Sequence, residues 1–238
     1  EPTVVPSEHF NTVLYTGNSS TNNITGVGFQ PNFTWIKVRS DVRTHSLVDS
    51  VRGFNGSSGR VIQSESTNAE WESAYINSLD SDGFTLSGSE NYINNSSHTY
   101  VAWNWKANGA GVSNTNGTIT STVSANVDAG FSIVSYTGTG SNGTVGHGLS
   151  SAPEMVILKS RSDTKPWKVG HTGLTSWVYR LHIDTAAEVL EADVWNSTSP
   201  TSSVFSIGTD SSTNWSSSSN YIAYCFHSVE GYSKVGSY

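Results

Sequence analysis

The string EADVWN at 191–196 carries Glu191 and Asp193 two positions apart, a spacing that puts both carboxyls on one face of a strand. Glycoside hydrolysis with retention needs two carboxyls about 5–5.5 Å apart, one of them able to give up a proton. The position that could complete such a set is Asn196, and an amide cannot act as a general acid. The matching region of the first half, ESAYINS at 72–78, carries no comparable string. An edge strand or loop is the expectation here, and not a catalytic pair.

Other reactive residue types are scattered. His9, His45, His98, His147, His171, His182 and His227 form no ligand spacing beyond His182 with Asp184, and a zinc centre needs more than one such pair. No Gly-x-Ser-x-Gly elbow is present to raise a nucleophilic serine. DSDG at 80–83 begins like a calcium loop, but Thr85 stands where the loop needs glycine and Asn91 where it needs the bidentate glutamate, so an Asp-Gly turn is expected. Cys225 aligns with Asn104 of the first half, which disfavours a catalytic thiol. No catalytic residue, metal ligand or cofactor is assigned.

KVRSD at 37–41 and KSRSD at 159–163 place Lys37, Arg39 and Asp41, and again Lys159, Arg161 and Asp163, at one spacing. A motif written twice at the exit of an apolar strand reads as architecture. The basic stems should lie over apolar surface, Arg39 and Arg161 should pair acids such as Asp41 and Asp163, and Ser40 and Ser162 should start a turn. Aromatic side chains are the remaining recognition chemistry. Trp103, Trp105, Tyr224 and Phe226 alternate along strands and are expected in cores, whereas Trp71, Trp167, Trp195 and Trp215 lie outside the repeated blocks and are the candidate glycan or partner contacts.

Composition limits the partners. Charged residues make up 13% of 238 and the net charge is -7, so the surface lacks the clustered Lys and Arg that bind nucleic acid. No window approaches a membrane-spanning apolar run, and no membrane insertion is expected. One cysteine excludes an internal disulfide framework, leaving stability to packing.

The elements that position these residues are written twice. FNTVLYTG at 10–17 matches FSIVSYTG at 131–138, PNFTWIKVRSD at 31–41 matches PEMVILKSRSD at 153–163, GFTLSG at 83–88 matches VFSIGT at 204–209, and YVAWNW at 100–105 matches YIAYCF at 221–226. Four blocks in one order at a nearly constant offset predict an internal duplication. Alternating aromatic and β-branched residues between Asn-Gly and Asp-Gly turns predict short strands throughout. The expected fold class is all-β, with tandem antiparallel β-sandwich units of jelly-roll-like form. Residues 1–108 form the first unit and 131–238 the second, joined by a Gly/Ser/Asn-rich connector at 109–130 with one possible strand. DTAAEVLEA at 184–192 is the one helix-like composition, and YSKVGSY at 232–238 reads like the first strand of a third unit.

Taken together, FNTVLYTG, ITGVGFQPNFTWIKVRS, SDGFTLSGSE, YVAWNWKANG, GHGLSSAPEMVILKSRS and YIAYCFHSVEGYSKVGSY resemble a repeat domain of virion structural and tail-fibre-like proteins of marine bacteriophages, cyanophages among them. The resemblance covers nearly the whole chain and brings no catalytic motif. It implies a non-enzymatic module of the extracellular particle, assembling as a homo-oligomer or with other virion proteins and touching a host surface glycan. The alternative, from the likeness of the sandwich to lectins and β-glucanases, is a carbohydrate-binding module or a degenerate glycan hydrolase.

Overall fold

The computed structural model describes residues 4–183 and 187–237. The chain folds into two compact units, one comprising 5–66 and 70–110, the other 111–237 with Val4 and the short segment 67–69. Both units are β-sandwiches of antiparallel strands.

The N-terminal unit holds β1 (Phe10–Thr16), β2 (Asn22–Ile24), β3 (Phe33–Val38), β4 (His45–Asp49), β5 (Phe54–Asn55), β6 (Ser58–Val61), β7 (Trp71–Ser73), β8 (Ile76–Asp80), β9 (Gly83–Leu86) and β10 (Thr99–Trp105). Its main sheet runs β1-β10-β3-β4, and the opposing layer is made of β2-β9-β8 and β5-β6-β7. Register decides which face is core. Ala102 lies opposite Val13 on one side and Ile36 on the other, so Tyr100 and Ala102 join Ile36, Val38 and Val48 against Val61, Ile76, Phe84, Leu86 and Ile93. The period of two then turns Val101, Trp103 and Trp105 to the opposite face, where they are half-buried. Trp103 and Trp105 therefore lie outside the core that alternation alone assigned them to.

The C-terminal unit holds β11 (Val112–Asn114), β12 (Ser121–Asn126), β13 (Phe131–Thr137), β14 (Gly143–Gly146), β15 (Met155–Ser160), β16 (Lys168–His171), β17 (Tyr179–Arg180), β18 (Val189–Leu190), β19 (Val204–Ile207) and β20 (Asn220–Phe226), with one helical turn, α1 (Ser211–Asn214). Its main sheet is β11-β12-β13-β20-β15-β16, accompanied by the pairs β14-β19 and β17-β18. Tyr136, Val156, Leu158, Tyr221, Ala223 and Cys225 pack from the sheet onto Val145, Val194, Trp195, Phe205 and Ile207.

Three local expectations change. The connector 109–130 supplies two strands, β11 and β12, which pair with each other and, through β12, with β13. In the helix-like string at 184–192, residues 184–186 lie outside the described residues, and Val189–Leu190 is a strand paired to Tyr179–Arg180. At the C-terminus, the chain from 232 to 237 makes an isolated bridge between Val229 and Ser233 in place of a new sheet strand.

The four-strand order β1-β10-β3-β4 recurs as β13-β20-β15-β16. Phe10 lies opposite Trp105 as Phe131 lies opposite Phe226, and Ile36 lies opposite Ala102 as Leu158 lies opposite Ala223. Around this common frame the units differ in their loops and in the strands added to it, β11-β12 at the sheet edge of the C-terminal unit and β5-β6-β7 in the N-terminal one.

Candidate functional site

The KVRSD and KSRSD strings leave the ends of β3 and β15. In both units the serine bridges back to the central strand. The Arg39 amide donates to Thr99 O at 2.8 Å while Ser40 Oγ accepts from Thr99 N at 3.1 Å; the Arg161 amide donates to Asn220 O at 2.7 Å while Ser162 Oγ accepts from Asn220 N at 3.0 Å. Each lysine folds back on the last carbonyl of its strand, Lys37 Nζ to Val38 O at 2.9 Å and Lys159 Nζ to Ser160 O at 2.8 Å. Lys159 is fully buried, and burial pushes its ammonium down to about 8 against the opposing pull of Asp163.

The acid expected beside Arg39 pairs elsewhere. Asp41 pairs with Arg43 at 2.9 Å, whereas Arg39 is exposed and makes no ion pair among the described residues. The strand ends at Val38, so the Arg39 side chain extends past the sheet while the following turn closes Asp41 onto Arg43. Arg161 donates to Ser135 Oγ at 2.9 Å, and Asp163 is held by Ser160, whose Oγ lies 3.3 Å from its carboxylate.

Beside these exits lies a lock that sequence comparison missed. Tyr15 and Tyr100 face each other across β1 and β10 with rings stacked at 4.9 Å, and Tyr15 Oη donates to Ile93 O at 2.8 Å. Tyr136 and Tyr221 repeat the stack at 5.2 Å, and Tyr136 Oη donates to Thr213 O at 2.6 Å. The second tyrosine of each pair accepts a backbone amide, Asn95 N to Tyr100 Oη and Trp215 N to Tyr221 Oη, both at 2.8 Å. The residue whose amide is fixed in this way sits at the loop tip. It is Asn95 in one unit and Trp215 in the other.

Trp215 is 53% exposed, and Lys165 Nζ lies over its ring at 4.4 Å while donating to Ser211 Oγ at 2.9 Å. The cation holds one face of the indole and leaves its other face and edge as a fixed apolar platform. The neighbouring turn carries Asn196 and Ser197 at φ +48° and +49°, consecutive left-handed residues that each cost about 1–3 kcal/mol. Asn142 Nδ2 donates to Asn196 Oδ1 at 2.9 Å, tying that turn to the 138–142 loop.

The other three tryptophans are not surface platforms. Trp195 is fully buried, edge-on to Trp177 at 5.5 Å, and Trp167 is buried with His182 Nδ1 2.8 Å from its carbonyl oxygen. Trp71 is half-buried on β7 against the N-terminal core. Each is turned inward, which sequence position outside the repeated blocks could not distinguish from exposure on a loop.

The acid string at 191–196 is a turn following β18, so Glu191 and Asp193 do not share a strand face. Glu191 is the anion of a buried cluster, with Oε2 2.5 Å from both Lys168 Nζ and Arg180 Nε. Burial acts to raise its carboxyl, but the hydrogen bonds and charges of Lys168 and Arg180 outweigh it and hold the group below its ordinary range. That is the opposite of what a general acid requires. In DSDG, Asp82 accepts from the amides of Gly26 and Gly28 at 3.0 and 2.6 Å, and Asp80 accepts from Ser78 and Thr85. Both carboxylates are engaged in closing turns. Among the described residues no three His, Cys, Asp or Glu side chains are grouped to hold a metal ion. Burial pushes the Cys225 thiol up to about 12, a state unreactive toward substrates.

No curated protein and no solved structure matches this chain. Residues 5–238 match the family described as Domain of unknown function (DUF7483), and the chain belongs to that family.

Proposed function

We propose that this chain is a non-enzymatic structural module of a virion, built into a tail fibre, appendage or capsid-associated component, that assembles with copies of itself or with other particle proteins and presents loops to the host surface. The observation that carries the reading is the pairing of a constant frame with a variable tip. The strand order, the stacked tyrosines and their amide bonds recur in both units, while the tip residue changes from Asn95 to the exposed Trp215. Scaffolds that hold function on loops have this form. The locked, ionised Glu191 speaks for binding over hydrolysis. The resemblance to marine phage virion proteins supplies the particle. Mass spectrometry of purified particles, with light scattering of the isolated chain, tests the proposal; absence from particles together with a monomer at all concentrations would sink it.

A carbohydrate-binding module is the second reading, favoured by the Trp215 platform with its Asn142 and Asn196 amides. Saturable binding to host-type polysaccharide, lost in Trp215→Ala with an unchanged melting temperature, distinguishes this from a purely structural role.

A further inference from the structure

The outer edge of β1 is open in the N-terminal unit, and the matching edge is closed in the C-terminal one. There the counterpart strand β13 is paired with β20 on one side and with β12 on the other, Ser121–Asn126 running opposite Tyr136 back to Phe131. Among the described residues β1 pairs with β10 alone, and a one-turn 3-10 helix, Pro6–Glu8, stands just before it where the other unit has its covering strand. The far edge of the same sheet, β4, is tied to the opposing layer by Leu47 and Ile62, which exchange both backbone hydrogen bonds at 2.9 and 3.2 Å. The open edge of the C-terminal sheet, β11, is only three residues long, and shortness is itself a protection against further pairing.

The missing cover shows in the side chains and in the backbone. Val134 and Tyr136 are buried beside β12, whereas the equivalent Val13 and Tyr15 are half-buried and Leu14 between them is 62% exposed. Lys106 N donates to His9 O and Gly17 N to His98 O, so by antiparallel alternation Asn11, Val13 and Tyr15 bond to β10 while Phe10, Thr12 and Leu14 turn their backbone groups outward. Thr12 N is engaged by the neighbouring Asn11 Oδ1 at 2.9 Å and Thr16 O by Asn22 Nδ2 at 3.2 Å. Neither backbone group of Leu14 meets a partner among the described residues. Natural edges are blunted by lysine, proline or a bulge, and the seven residues FNTVLYT contain none of these.

We infer that β1 pairs antiparallel with β1 of a second copy of this chain across a two-fold axis, joining their main sheets into one. The strand is self-complementary in one register. With Leu14 opposite Leu14 of the second copy, the exposed leucines meet side by side, and the open N–H and C=O of each make the central hydrogen-bonded pair. Val13 then falls opposite Tyr15 on the core-facing side, an aromatic and β-branched pair of the kind that stabilises antiparallel ladders, and covers what β12 covers in the other unit. Centring the pair on Thr12 would instead set Asn11 against Val13 and call on an amide that is already bonded. The strand carries no charge, so two copies meet without repulsion. The inference rests on the self-assembly proposed above and names the surface that performs it.

Sedimentation equilibrium of the intact chain tests it, and a reversible dimer is expected. Leu14→Lys, which sets like charges directly opposite each other, should weaken dimerisation at least about tenfold with the circular dichroism spectrum unchanged. Leu14→Cys should give a disulfide-linked dimer under mild oxidation, because hydrogen-bonded antiparallel pairs hold their Cα atoms about 5.5 Å apart, within disulfide reach. Thr12→Cys should not, since Thr16 and not Thr12 of the second copy lies across from it; the native Cys225 is buried and does not compete. A dimer undiminished in Leu14→Lys, or cross-linking as ready in Thr12→Cys as in Leu14→Cys, overturns the inference and leaves self-assembly to another surface. A chain that is monomeric at every concentration yet present in purified particles overturns it as well, while the virion reading stands.

Discussion

Asn94 and Asn214 make the same three hydrogen bonds in two different units. Asn94 Oδ1 accepts from Asn18 N at 3.1 Å, and its Nδ2 donates to Ser20 O and Gly88 O at 2.7 and 3.0 Å. Asn214 Oδ1 accepts from Thr139 N at 2.6 Å, and its Nδ2 donates to Ser141 O and Gly208 O at 2.6 and 2.8 Å. Both side chains are fully buried and staple the loop leaving the first strand to the loop entering the last. Replacing either with alanine removes the side-chain partner of three backbone groups, at about 1–3 kcal/mol for each that stays out of reach of water. Asn214→Ala should lower the melting temperature steeply, and Asn94→Ala should do the same; a change of a degree or less in calorimetry would show that the staple is dispensable.

The tryptophans separate stability from recognition. Trp195→Ala opens a cavity in the C-terminal core and should cost about 3–5 kcal/mol. Trp215→Ala removes an exposed ring and should cost no more than about 0.5 kcal/mol while abolishing the contact proposed for that residue. Denaturant titration beside a binding assay reads both.

Glu191 should behave as a structural anion. Glu191→Gln takes away the carboxylate shared by Arg180 and the almost fully buried Lys168, leaving Lys168 with Asp210 at 3.9 Å. Breaking a buried pair in this way costs about 3–5 kcal/mol, toward the lower end here because Glu191 is itself partly solvated. A variant as stable as the parent would mean that the cluster is solvated in solution.

Alkaline pH should first strengthen the fold. The Lys159 amine titrates at about 8 when folded, driven down by burial, and near its ordinary 10.5 when unfolded, so the unfolded chain holds the extra proton between these values and stability rises with pH. The gain is about 1.4 kcal/mol per pH unit, or roughly 1 kcal/mol from 8 to 9, above which it is offset because burial raises the Cys225 thiol from 9.0 to about 12 and the unfolded chain gives up that proton first. Above about 10 the trend reverses, because burial raises Tyr100, Tyr136 and Tyr221 and the unfolded chain ionises its tyrosines first. Lys159→Met should erase the rise between 8 and 9 in urea midpoints measured across pH.

Acid should weaken it. His147 is fully buried, with Nδ1 accepting from Leu149 N at 3.1 Å, and burial depresses its protonation below the ordinary 6.5. The unfolded chain takes up that proton first, so the stability present above 6.5 is lost progressively as pH falls. His147→Gln should flatten the pH dependence just below 6.5; an unaltered slope would assign it to the carboxylates alone.

The alternation in YVAWNW and its partner strings determined by itself that the chain is all-β, and the matched blocks located the central strands of both units, because period-two patterning and turn chemistry are local properties. Local sequence could not decide which face of each strand is core. That was settled by the cross-strand neighbours, Ile36 and Val38 drawing Ala102 and Tyr100 inward and leaving Trp103 and Trp105 on the other side. The asparagine staple escaped a constant offset because the chain is one residue longer between Asn214 and Tyr221 than between Asn94 and Tyr100, so the offset of 121 that joins the two tyrosines sets Asn94 against Trp215. The Ser-Ser pairs that follow both asparagines are the one local trace of it. The acids beside Arg39, the solvent that Trp195 never meets and the uncovered edge of β1 depend on segments far apart in the chain meeting in space. Only the tertiary structure decides such juxtapositions, since burial and unpaired acceptors are properties of an environment and not of a residue.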